Sequence, residues 1–180
     1  MKNADKNTKN SNKNILNIAE VVDKASKYDE IQDYTLSNGK DIQFYPYFSR
    51  TKVKEIIEEF QSYTQSDDKD DQAFMELINK NDFSTILFWY FLCVKKFTHF
   101  GEQMKECKQV KDLAPYYNAL LETGVLEEII NDVFIYDELK KINDMFANDS
   151  AIMVSAMEFL NTYEDSLEDA RSKFKQQFNK

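Results

Sequence analysis

His99 is the only histidine in the 180-residue chain, and Cys93 and Cys107 are its only cysteines. Together they are three of the side chains from which a zinc site could be built. A structural zinc wants four ligands, usually in close Cys or His pairs, and no such spacing occurs here. The expectation is a histidine near a helix end. Cys93, inside the run ILFWYFLCV, reads as a thiol that behaves as a small hydrophobe. A helical di-iron site would need Glu-x-x-His twice, which a single histidine excludes. Acidic pairs are plentiful, among them Glu58-Glu59, Asp67-Asp68, Asp70-Asp71 and Glu127-Glu128. Hydrolytic carboxylates must meet across a cleft, and adjacency in sequence does not place them there. The stretch SDDKDD lacks the central Gly and the closing Glu of a calcium loop. These pairs read as solvated acidic faces. Ser and Thr nucleophiles need a base, and nothing near His99 resembles a nucleophile elbow. The chain therefore reads as a non-enzyme, with no cofactor and no metal.

The elements that would position such residues are mostly helices. The chain has 14 Phe, 10 Tyr and one Trp, but only three Gly and two Pro. Long apolar side chains with few turn formers argue for long helices, against sandwiches, barrels and Gly-rich nucleotide folds. Residues 1–12 are polar and predict a disordered tail. Residues 13–180 predict a single, mainly α, helical bundle-like domain with one small N-terminal β-hairpin at about 31–47. Helical spacing predicts a first helix from Lys13 to about Lys27. Asn38-Gly39, between Tyr34/Leu36 and Ile42/Phe44, predicts a two-residue type I′ turn. Ser49 would cap a helix over 50–64, and 65–71 would be a charged loop. A short helix follows around Phe74 and Leu77, then a central buried helix from Phe83 to about Phe97 with Asn81 or Asp82 as cap. The stretch 101–112 reads as a loop or frayed helix. Pro115 fits the first turn of the next helix, with Asp112 as cap and Gly124 as its stop. One helix is expected over 125–147. Asn148 to Ser150 would restart the chain, and a last helix would run to about Phe178.

Two aromatic groups are candidates for binding a protein partner. In a strand over Phe44–Phe48, alternate residues face opposite sides, so one set can pack inward while the other reaches a surface. Phe44, Tyr45, Tyr47 and Phe48 are the candidates there, beside a hairpin edge able to accept another strand. Phe174 and Phe178 end the apolar stripe of the last helix, which can dock a partner helix or a second copy of the chain. The formal net charge is −9, with the positive residues Lys2, Lys6, Lys9 and Lys13 gathered at the N-terminus. So acidic a surface repels phosphate backbones and anionic membranes and favours a basic partner or simple solubility. The longest apolar run, Ile86–Val94, is too short to span a bilayer. The polar N-terminus shows no signal peptide, and two cysteines suit a reducing cytoplasm.

The segment NGKDIQFYPYFSRTKVKEIIEEF carries Asn38-Gly39-Lys40, Phe44-Tyr45-Pro46, Phe48-Ser49 and a helix with Ile56, Ile57 and Phe60. It resembles the tail assembly chaperones, small acidic proteins of tailed phages and prophages of Gram-positive bacteria. The resemblance covers about 25 residues near the N-terminus and has no catalytic signature. It implies a non-enzymatic role: coating a helical, aggregation-prone tape-measure client and recruiting tail-tube subunits to it. The alternative, drawn from the charge alone, is an acidic inhibitor or regulatory protein that occupies a basic surface of a host protein.

Overall fold

A computed structural model describes residues 15–149. The expected polar tail over 1–12 and the last helix with Phe174 and Phe178 lie outside the described residues. Within them the protein is mainly α, with eight helices and one two-stranded antiparallel hairpin. Helix α1, Ile18–Ala25, starts later than its apolar spacing suggests. Asn17 stops it there, because its side-chain oxygen accepts the Ala19 N–H at 2.9 Å. A 3₁₀ turn, Ser26–Asp29, then leads into the hairpin.

Strand β1, Gln32–Thr35, pairs with β2, Asp41–Phe44, with Tyr34 opposite Ile42. The turn between them is not the expected two-residue type. Only Gly39 has positive φ, at 77°, and Asn38 does not. Leu36 donates its N–H to the Lys40 carbonyl at 2.8 Å, and its own carbonyl accepts the Gly39 N–H at 2.8 Å. The loop is therefore Ser37–Gly39, three residues with glycine in the left-handed position. The extra residue keeps Leu36, Ile42 and Phe44 on the buried side.

Helix α2, Arg50–Thr64, buries Val53, Ile56, Ile57 and Phe60. Helix α3, Lys69–Ile78, starts inside the charged stretch that reads as a loop. Asp68 makes this possible by accepting the N–H groups of Asp70 and Asp71. Helix α4, Asp82–Phe97, is the buried centre, with Phe88, Phe91, Leu92, Cys93, Val94 and Phe97 fully enclosed. Asn81 caps it by accepting the Ser84 N–H. A short α5, Phe100–Gln103, turns back on α4. There a Cβ on Gly101 would lie 2.5 Å from the Lys95 carbonyl oxygen, so only glycine allows the approach.

Helix α6, Val110–Glu122, is capped by Gln109 rather than by Asp112, so Pro115 falls in its second turn and not, as expected, in its first. Its first turn is held by acceptors instead. Asp112 accepts the Gln109 N–H and Asp71 of α3 accepts the Lys111 N–H. Gly124, at φ 71°, ends it. The single helix expected over 125–147 is interrupted. Helix α7, Val125–Glu128, runs into a π turn, Ile129–Val133, and Phe134 is extended. Helix α8 then spans 136–149 and passes through Asn148 and Asp149, where a restart was expected. The break brings the Phe134 ring edge-on to Phe48, at 5.0 Å between centroids.

Candidate partner-binding surface

Around the hairpin the structure divides the aromatic candidates into two pairs. Phe44 and Phe48 belong to the core and are corrected as contact residues. Phe48 has no exposed surface, and its ring stacks on Phe97 at 4.0 Å. They are inside because the alternation from Ile42 through Phe44 and Pro46 to Phe48 puts all four on the buried side. Tyr45 and Tyr47 are half-buried on the opposite side. Each already has a cation against its ring, with the Lys52 amine 3.6 Å from the Tyr45 centroid and the Lys27 amine 4.6 Å from that of Tyr47.

The hairpin's edges are also unequal. The outer edge of β2 is closed by the chain leaving α4. The Tyr45 N–H bonds the Phe97 carbonyl, and the His99 N–H bonds the Gln43 carbonyl. The Gln43 N–H bonds His99 Nδ1 at 3.2 Å, so the lone histidine serves as a backbone-like acceptor. The β1 edge bears the outward peptide groups of Asp33 and Thr35 and is guarded by the Asp33 charge.

The acidic pairs are not simply solvated faces. In each of the four, one carboxylate is built into the fold. Glu128 grips the hairpin loop, accepting the Ser37 N–H at 2.5 Å and its hydroxyl at 2.9 Å. Glu59 takes both the Lys95 amine and the Tyr63 hydroxyl at 2.5 Å. Burial, and then this bond, push the Tyr63 phenol well above its ordinary value. Asp71 is buried and joins Ser66 to the start of α6. Asp68 receives the Lys111 amine at 3.1 Å. That bond, with N–H donors from α3, holds the Asp68 carboxyl below the usual carboxylate range, and the same bond raises Lys111. Glu138 adds a further grip, accepting the Phe48 N–H at 2.8 Å and the Lys141 amine. Sequence reasoning missed these roles because each carboxylate's donor is distant in sequence or needs a helix start that was not foreseen.

A cleft of about 470 Å³ lies between the hairpin and the α4–α5 corner, with Tyr45, Lys52, Lys95, Lys96, His99 and Lys105 on its walls. Its cations are largely neutralised within the fold. Lys95 pairs with Glu59, Lys96 with Glu55, and Lys105 lies 4.0 Å from Glu102. The thiols lie elsewhere. Cys93 is enclosed in α4, where burial raises its pKa, and Cys107 is half-buried beyond α5. Among the described residues, no group of three His, Cys, Asp or Glu is placed to hold a metal ion. No described helix is long and apolar enough to cross a membrane.

An open apolar surface runs between α4 and α8. Phe83, Ile86 and Tyr90 follow one another at steps of three and four and so share an arc of α4. Phe83 is 70% exposed and Ile86 49%. Tyr136 of α8, 76% exposed, lies nearer the other end of α4, in the same cavity as Tyr90. Asn143 pins the two helices side by side, accepting the Trp89 indole N–H at 3.2 Å and donating to the Tyr90 hydroxyl at 2.8 Å. Beside this bridge is a cavity of about 300 Å³, walled by Ile130, Phe134, Tyr136 and Leu139, with Asn131 and Lys140 at its lip. The π turn forms one wall, because its extra residue per turn swings Ile130 and Asn131 to that side. Helix α1 is a second apolar surface. None of its residues is buried, and Ile18, Val21 and Val22 are exposed together with Ile15 and Leu16 before it.

A family model described as YomO matches residues 18–177. The SPbeta prophage-derived uncharacterized protein YomO of Bacillus subtilis (strain 168) is 25% identical over 130 residues, covering 72% of this chain and 71% of the relative. No solved structure matches the chain. The model match spans most of the sequence, so the chain belongs to the YomO family.

Proposed function

We propose that this YomO-family chain is a non-enzymatic phage assembly protein, similar to the tail assembly chaperones, which binds and solubilises a helical client. Its place is the host cytoplasm, and its partner is a protein rather than a nucleic acid or a membrane. The observation that carries this reading is the α4–α8 groove. Its apolar floor with Asn131, Lys140 and Asn143 at the lips suits a helix with a narrow apolar stripe and polar flanks. The prophage origin of the Bacillus subtilis relative supports a phage setting. The client class is the long helical protein of the tape-measure type, whose apolar stripes aggregate unless covered.

The acidic-inhibitor alternative draws little support from the four carboxylate pairs, since one member of each is engaged inside the fold. The test is co-expression with a long helical protein of the tape-measure type from the same genome, followed by size-exclusion chromatography with light scattering. A soluble complex that survives high salt, with the client insoluble alone, is the expected result. Client remaining in the pellet would overturn the proposal. A complex that dissociates steeply with salt would favour the acidic inhibitor instead.

A further inference from the structure

Helix α1 forms without packing on the apolar core. None of its residues is buried, and none belongs to the core or lies against it. Its ends are settled locally, by the Asn17 cap and by the Ser26 N–H bonding the Asp23 carbonyl. Caps satisfy terminal peptide groups and leave the helix itself unsupported. Isolated helices are marginal in water below about 12–15 residues, and α1 has eight. Support has to come from a surface that packs on its apolar side.

That side is well defined. Ile18, Val22 and Ala25 follow at steps of four and three, with Val21 beside them, and Glu20, Asp23 and Lys24 lie on the opposite side. Ile15 and Leu16 extend the apolar surface past the cap. Ile15, Leu16, Ile18 and Val22 are between 65% and 76% exposed. At roughly 30 Å² per apolar carbon, the patch presents on the order of 400 Å², a size that marks interaction sites. Two such patches closed on each other hide about 800 Å², which suits weak, reversible association.

Charge selects a second copy as the occupant. The chain carries −9, so most faces of two copies repel. The positions flanking the apolar stripe, Ala19, Val21 and Ser26, are uncharged, so this side meets itself without like charges opposed. The sequence ahead of Ile15 carries four lysines against one aspartate, and Asp29 and Glu30 follow α1. Antiparallel pairing brings these opposite charges together and opposes the helix dipoles, whereas parallel pairing sets like against like. It also sets branched Ile18 toward the partner's small Ala25, with Val22 near the axis.

We propose that two copies of this chain associate through α1, packed antiparallel about a two-fold axis near Val22. The contact uses no residue of the cavity beside α8. It stands apart from the client-binding reading, because its test contains no client.

Sedimentation velocity of the full-length chain, from micromolar to submillimolar concentration, should show reversible dimers. Val22→Asp should weaken dimerisation about tenfold or more by burying a charge in the contact. In dilute solution, where wild type is monomeric, the variant should keep the wild-type thermal midpoint, since Val22 lies off the core. A wild type monomeric throughout, or a variant that dimerises equally well, overturns the proposal. A lowered midpoint in dilute solution also overturns it and places α1 in the core of its own chain. A second measurement uses the Cys107→Ser chain, keeping enclosed Cys93. On mild oxidation Val22→Cys should form disulfide-linked dimers several-fold faster than Lys24→Cys on the opposite side, and equal rates overturn the proposal. Amide exchange of residues 19–25 should slow several-fold as concentration rises, and protection independent of concentration overturns it as well.

Discussion

The hairpin and the α4–α8 groove hold their aromatic side chains in opposite ways. Around the hairpin Phe44 and Phe48 are buried and the two tyrosines are shielded by lysines. On α4 and α8, Phe83, Ile86 and Tyr136 stand in the open. The difference follows from the backbone. A two-stranded sheet leaves N–H and C=O groups unpaired along both edges, and buried peptide groups need partners. His99, Glu128 and Glu138 supply them around the hairpin and draw the neighbouring rings inward. Helices α4 and α8 satisfy their own peptide groups, so their outer side chains remain at the surface. A sealed strand and an open helix pair are therefore what this architecture favours.

The contrast breaks most sharply at Phe48. Phe48→Ala should cost about 3–5 kcal/mol, by leaving a cavity between Phe97 and Phe134. Denaturant unfolding measures it, and a loss within the range of surface substitutions would show that the hairpin is not sealed. Next comes Asp71→Ala. Removing the acceptor for the Lys111 N–H should cost about 2 kcal/mol. Thermal unfolding would show it, with slower exchange of the α6 first-turn amides in wild type than in the variant.

His99→Ala should cost about 1 kcal/mol, because the Gln43 N–H loses its acceptor. His99→Asn can offer an amide oxygen there and should recover part of the loss, whereas a purely packing role for the ring would give no recovery. On the groove side, Tyr136→Ser should change stability by no more than about 0.5 kcal/mol while lowering the yield of soluble client complex. A large loss of stability there would mean that the groove is part of the core.

The smallest effect is one of pH. Asp68 has its carboxyl held low by Lys111. Its contribution is full above the unfolded-chain value and is lost as pH falls through the lower folded value. Lys111 is raised, so its share is present below the unfolded-chain value and lost as pH rises through the higher folded one. Asp68→Asn should therefore flatten the acid limb of the stability profile and weaken the alkaline limb. An unchanged profile would mean that solvent screens this exposed pair completely.

Much of the architecture was legible in local pattern. The period of α2 and α4, the Asn81 cap and the hairpin between Tyr34 and Phe44 all rest on contacts within a few residues. Misreadings fell where a distant acceptor or a packed ring outweighed a local signal. Asp71 helped move the start of α6 ahead of Asp112, and Phe134 packing against Phe48 accompanies the break before α8. Of the candidate site, the aromatic run was visible, but not which rings would be enclosed.

Composition and periodicity by themselves determined a mainly helical chain with one hairpin and an enclosed α4, because few turn formers and regular apolar spacing admit little else. Only the tertiary structure decided that His99 and one carboxylate of each of four acidic pairs would serve the fold's own backbone and side chains, and that Phe83, Ile86 and Tyr136 would stand exposed. A side chain's exposure depends on which distant surface arrives to cover it, and periodicity carries no record of that arrival.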